Sequence, residues 1–222
     1  MLKALVLKEL RELTPLAALA LAVYACAVAQ LMGFELVFWP VQQQATIPFV
    51  QDEFAFEVTC VSICLAIALG MRQTVGEAVR GTWQWLLHRP ACRRRLIAVK
   101  LITGCIVYLI CGALPILVYA GWAAMPGTHA SPFDWSMTID AWQEWISVGA
   151  LYFASFLCGF WPARWFGPKL LPLAGVAGLV LSGWILSTVL LELPRLAWVM
   201  PAMLVPLLLV NIFAVNHSRD FS

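Results

Sequence analysis

The sequence predicts an all-α polytopic membrane protein, a bundle of six transmembrane helices in a single domain over 1–222. Three observations carry that prediction: composition, the length of the apolar runs, and the one-sided placement of the cations. Of the 222 residues 62% are hydrophobic and 12% charged, with a mean hydropathy of +0.85. Soluble domains hold about 45–50% apolar and about 25% charged residues, and a soluble chain this apolar lacks the polar groups to cover its surface. The runs are continuous, whereas strands of a membrane β-barrel alternate over about 10 residues.

The elements follow in order. In "MLKALVLKELREL" Leu2, Leu5, Val6, Leu10 and Leu13 share one helical face, with Lys3, Lys8 and Arg11 opposite and Glu9 intruding on the apolar side. This pattern suits a short helix over 1–14 lying in the membrane interface, ended by Pro15, which opens the first span. An ordinary basic flank is the alternative. The next run is too long for the h-region of a cleavable signal peptide. A crossing helix needs about 20 apolar residues. The runs are Leu16–Phe34, Phe54–Met71, Leu101–Trp122, Trp145–Trp161, Leu170–Leu191 and Leu196–Val215, giving spans at about 16–36, 54–71, 96–122, 145–163, 170–191 and 196–215. The second holds Glu57 and the fourth is short, so each is expected to stand upright, pack inside the bundle or bend. Five spans, or one re-entrant segment, is the fallback.

Charge sets the orientation. No Lys or Arg occurs between Glu12 and Met71 or between Leu101 and Ala163, and of the 14 cations Arg195 alone falls on the second side. Glu35, Asp52, Glu53, Glu57, Asp134, Asp140, Glu144 and Glu192 cluster oppositely. The positive-inside rule then places both termini in the cytoplasm of a bacterial-type inner membrane, with tryptophans 39, 122, 145, 161, 165 and 198 as interfacial anchors. The net charge of +2 reports topology and gives no reason to expect nucleic acid.

Chemistry-bearing signatures are sparse. Cys60 and Cys64 lie one helical turn apart, a spacing open to a soft metal, but free cysteine is a common small buried residue; no metal, cofactor or disulfide framework is expected. A P-loop needs Gly-Lys followed by Ser or Thr, and the four lysines follow Leu2, Leu7, Val99 and Pro168. No His-Glu-x-x-His occurs, and position 180 is Val where a Gly-x-Ser-Gly intramembrane protease site needs Gly. An enzyme is not expected. Glu35 and Glu57 lie near outer span ends, open to an interfacial or a substrate-contact role. Two small-residue stripes, Ala25-Ala29-Gly33 and Ala174-Gly178-Ser182, suit close helix packing within the bundle, or at a subunit interface.

The segment "EAVRGTWQWLLHRPACRRR" exceeds what topology requires. It runs Glu77, Gly81-Thr82, Leu86-Leu87, Pro90 and Arg93, with Lys100 entering the next span. This order resembles the cytoplasmic segment of type-2 ABC exporter permeases: Glu, Gly-Thr, Leu-Leu, Pro-x-x-Arg and a Lys seven residues on, in register over 24 residues. Val79, Trp83-Gln84 and Cys92 depart from the family's usual residues. The resemblance implies an N-terminal elbow helix, a cytoplasmic coupling helix within 72–95, a dimer with a second permease copy or homologue, and docking on a separate ABC ATPase subunit. Glu77, Gly81, Thr82, Trp83, Leu86, Leu87, Pro90 and Arg93 would carry the coupling. A helix at Thr74–Leu87 would set Trp83 and Leu87 one turn apart below the membrane, with Arg93–Arg95 on anionic lipid headgroups at about 1 kcal/mol per charge. A membrane scaffold or assembly factor, and a secondary transporter hinted at by Pro115, Pro172 and Pro201, are the alternatives. Neither substrate nor direction of transport is legible.

Overall fold

The computed structural model describes residues 2–34, 47–50, 52–79, 93–128, 132–161, 166–185 and 196–218, and within them the chain is helical, with no strand. The helices are α1 (Leu2–Leu31), α2 (Asp52–Val79), α3 (Arg93–Ala123), α4 (Ile139–Val148), α5 (Ala150–Cys158), α6 (Phe166–Lys169), α7 (Leu171–Ile185) and α8 (Leu196–Ser218), with a 3-10 turn at Trp135–Thr138 before α4. Among the described residues three helices are long and apolar enough to cross a membrane: Lys3–Leu31, Phe54–Glu77 and Arg93–Ala123. Two shorter apolar stretches are Leu171–Ile185, which is α7, and Pro201–Val215, which lies within the 23-residue α8.

Helix α2 is the hub. It packs against α1, α3, α4 and most extensively α5, while α7 and α8 lean on the other side of α5. Glu9 of α1 and Glu77 of α2 meet on one lysine, and 15 residues along α1 and 15 back along α2 Tyr24 meets Ser62 at 2.7 Å. Helices α1 and α2 are therefore antiparallel, and Lys100 on the first turns of α3 sets α3 parallel to α1. All nine residues of α5 are buried. Where helices come close, glycines leave the room: a Cβ on Gly70 would run into Ser155 of α5, one on Gly159 into Thr74 of α2, and one on Gly112 into the Trp145 indole.

At the far end of α2 and α3, aromatic rings close the bundle. Phe54 stacks on Tyr119 at 4.6 Å, Tyr119 on Trp122 at 5.6 Å, and Phe49, with φ at 64°, sets its ring 4.8 Å from Phe54.

Several expectations change. Pro15 does not end the N-terminal helix: α1 runs unbroken from Leu2 to Leu31, and Thr14 Oγ1 donates to the Leu10 carbonyl at 2.7 Å one turn back. Pro15 costs the helix the N–H that would reach the Arg11 carbonyl, a loss that α1 bears while packed against α2 and α3. The second helix does not stop at Met71, and Thr74 does not start a separate helix; α2 continues to Val79 with Gln73, Thr74 and Glu77 buried in the bundle. The fourth run is two short helices joined at Gly149, whose N–H is shared between the Trp145 and Ile146 carbonyls. Trp145 is a core residue on Gly112 and Tyr108, not an interfacial anchor. The two small-residue stripes are also not where the bundle packs: Ala25, Gly33, Ala174, Gly178 and Ser182 are exposed. The close approach of α2 to the α5 segment lies instead at other small residues four apart, Gly70 and Thr74 facing Ser155 and Gly159, while Gly112 makes room for Trp145.

Candidate functional site

The site begins with one misfit. A carboxylate on the apolar face of a helix costs several kcal/mol to desolvate unless it is paired, and Glu9 sits on such a face, 1% exposed. Its partner is Lys100, whose Nζ donates to Glu9 Oε1 at 2.6 Å and to Glu77 Oε1 at 2.7 Å. Lys100 and Glu9 side chains are each 1% exposed and Glu77 4%. One ammonium cannot balance two carboxylates. Lys8, half exposed, supplies the second positive charge, 3.2 Å from Glu77 Oε1 and 3.6 Å from Glu12. Three acids, the partly exposed Glu12 among them, and two bases from three helices thus converge at the cation-bearing end of the bundle.

A second layer fixes the lysine's backbone. Gln73 Nε2 donates to the Lys100 carbonyl at 2.7 Å. Tyr152 Oη, from the buried α5, lies 2.8 Å from Gln73 Oε1 and 3.0 Å from the Leu101 carbonyl, sharing one proton between two acceptors. Gly104 makes this possible, since a Cβ there would overlap the Tyr152 hydroxyl. Thr74 Oγ1 donates to the Gly70 carbonyl at 2.9 Å, which satisfies the buried hydroxyl within α2.

Of the residues singled out in the sequence, Glu77 is buried in this cluster and Arg93 opens α3 as an exposed side chain. Gly81, Thr82, Trp83, Leu86, Leu87 and Pro90 lie outside the described residues, as does Glu35. Cys60 and Cys64 are exposed on α2. Glu57 is partly buried. Another acid, Glu144 of α4, accepts from Thr59 Oγ1 at 3.0 Å and lies 3.4 Å from Trp184 Nε1, linking α2, α4 and α7.

Sequence reasoning missed Gln73 and Tyr152. Tyr152 is a lone polar group in an apolar run and Gln73 sits inconspicuously between Arg72 and Thr74, and the partner of each is a residue of another helix. Glu9 carried the visible signal, as an acid breaking an otherwise clean apolar face. No family model matches the chain, and no curated protein or solved structure matches it either.

Proposed function

We propose that this chain is the membrane-spanning permease subunit of an ATP-driven exporter, of the type-2 ABC kind that the 77–100 segment resembles. It works as a dimer with a second permease copy or homologue, and a separate ATPase subunit powers it. Both termini are cytoplasmic, and the shorter helices α4–α5, α7 and α8 complete six spans beside α1, α2 and α3.

One observation carries this reading. Glu77 and Lys100, the first and last residues of the motif, lie 23 residues apart in sequence and share an ion pair at 2.7 Å. A loop needed only for topology has no use for a buried ion pair across its base; a segment that takes a push from a moving partner does. Such a segment delivers force to α2 and α3 only if its two ends are held together. The unpaired alternative is also costly, since breaking one partner of a buried pair costs about 3–5 kcal/mol.

The test is co-expression with ABC ATPase subunits, first among them any encoded beside this chain's reading frame. The purified chain alone is expected to hydrolyse no ATP, because it has no Gly-Lys-Ser/Thr sequence. The ATPase should copurify with it, and replacing both Trp83 and Leu87 with Ala should weaken that capture while membrane insertion stays intact; buried interface aromatics commonly contribute above about 2 kcal/mol. Undiminished capture by that double variant, or robust hydrolysis by the chain alone, would overturn the reading.

A further inference from the structure

We propose that Glu9 is a positioning residue of the 77–100 unit: by sharing Lys100 with Glu77, it clamps the first turns of α1 to the adjoining ends of α2 and α3, and the three helix ends shift as one. The clamp stands on geometry, and its effect on ATP-driven coupling rests on the permease reading above.

Lys8 and Glu9 are neighbours in sequence, yet α1 sends them to two different helices. Glu9 Oε1 takes the α3 lysine at 2.6 Å and Lys8 takes the α2 glutamate at 3.2 Å. Helix α1 therefore grips α3 with an acid and α2 with a base. Sliding α1 by one turn, about 5.4 Å, breaks both contacts and leaves Glu9 and Lys100 buried without each other. Buried ion clusters contribute little net stability but penalise the wrong register heavily. That makes the cluster suited to keeping three helix ends in one arrangement. The Gln73 and Tyr152 hydrogen bonds to the Lys100 and Leu101 carbonyls hold the α3 side of the clamp against α2 and α5.

The experiment has two arms, both on the full chain in detergent. In the first, Glu9→Gln, Lys100→Met and the double variant are compared by thermal unfolding. Lys100→Met leaves two buried carboxylates facing each other and is expected to lower the melting temperature by roughly 10 °C. Adding Glu9→Gln should restore part of that loss; strictly additive losses would mean that Glu9 and Lys100 do not interact, and would overturn the clamp. The second arm uses the apolar replacement Glu9→Met/Glu77→Met/Lys100→Met, which removes the cluster without stranding a buried charge. It should insert and melt near wild type, yet ATP hydrolysis stimulated by the copurified complex should fall roughly tenfold, within the usual range for coupled sites. A stable triple variant with wild-type stimulation would overturn the positioning role. If wild type itself shows no stimulation with any ATPase, the permease reading fails, and the first arm alone still decides the clamp.

Discussion

Tyr152 shows how much one hydroxyl can organise when water is absent. Its proton is shared by Gln73 Oε1 and the Leu101 carbonyl, and Gln73 in turn donates to the Lys100 carbonyl. Tyr152→Phe takes the donor from the buried Gln73 Oε1 and the second donor from the Leu101 carbonyl, and leaving a buried polar group unsatisfied costs about 1–3 kcal/mol. Tyr24 bonds a single hydroxyl, Ser62 Oγ at 2.7 Å. The serine can turn to a carbonyl of its own helix instead, and an interhelical hydrogen bond in a membrane bundle contributes about 0.6 kcal/mol on average. Tyr152→Phe is therefore expected to lower the melting temperature in detergent more than Tyr24→Phe does. Equal or reversed shifts would show that the Gln73–Tyr152 layer is not a structural hub. The residue scale is also where the sequence was least legible. Glu9 announced itself by spoiling an apolar face, but a glutamine at the polar end of α2 and a tyrosine in an apolar run announce no partner, because hydrogen bonds between helices follow no sequence spacing.

Among the helices, α5 and α7 make a contrast. Helix α5 is buried over its whole length, while α7 buries Val176 and Gly183 among its described residues. Glycines on the two sides of this contrast should respond with opposite sign. A Cβ at Gly70 meets Ser155 Oγ and lies 2.7 Å from the Phe156 backbone nitrogen, whereas one at Gly178 meets nothing within 4 Å. Gly70→Ala should destabilise by about 1–3 kcal/mol through overpacking. Gly178→Ala should be neutral or stabilising, because alanine is favoured over glycine in a helix interior by about 1 kcal/mol. Thermal unfolding of both variants decides it, and a Gly70→Ala protein as stable as wild type would refute the close α2–α5 approach. The sequence pointed to the wrong glycines because spacing of four flags a face that admits close contact without saying whether a neighbour is there.

For the whole molecule, one end carries the ion cluster and the opposite end carries the Phe49, Phe54, Tyr119 and Trp122 rings. Lys3 near the first end and Met125 after α3 are both exposed. In a background without the seven native cysteines, Met125→Cys is expected to react with a membrane-impermeant thiol reagent applied to intact cells, and Lys3→Cys only after lysis. The charge asymmetry is the basis, since lysine and arginine flank spans on the cytoplasmic side. Labelling of Lys3→Cys from outside would invert the orientation and remove the ion cluster from the side where an ATPase works.

The sequence by itself determined the helical class, the apolar character of α1, α2 and α3, and the split of charge between the two ends. These depend on composition and run length, which need no knowledge of neighbours. The end of α1 at Pro15 and the end of α2 near Met71 were misjudged for one reason: local breakers and polar residues yield when other helices satisfy them. Leu13, Leu16 and Ala17 pack into the core on either side of Pro15, and Glu77 is matched by Lys100. Only tertiary structure decided that Glu9, Glu77 and Lys100 form one site, since the residues are 91 and 23 positions apart along the chain. An ion pair buried from water is defined by where three helices meet, and no single helix encodes that meeting point.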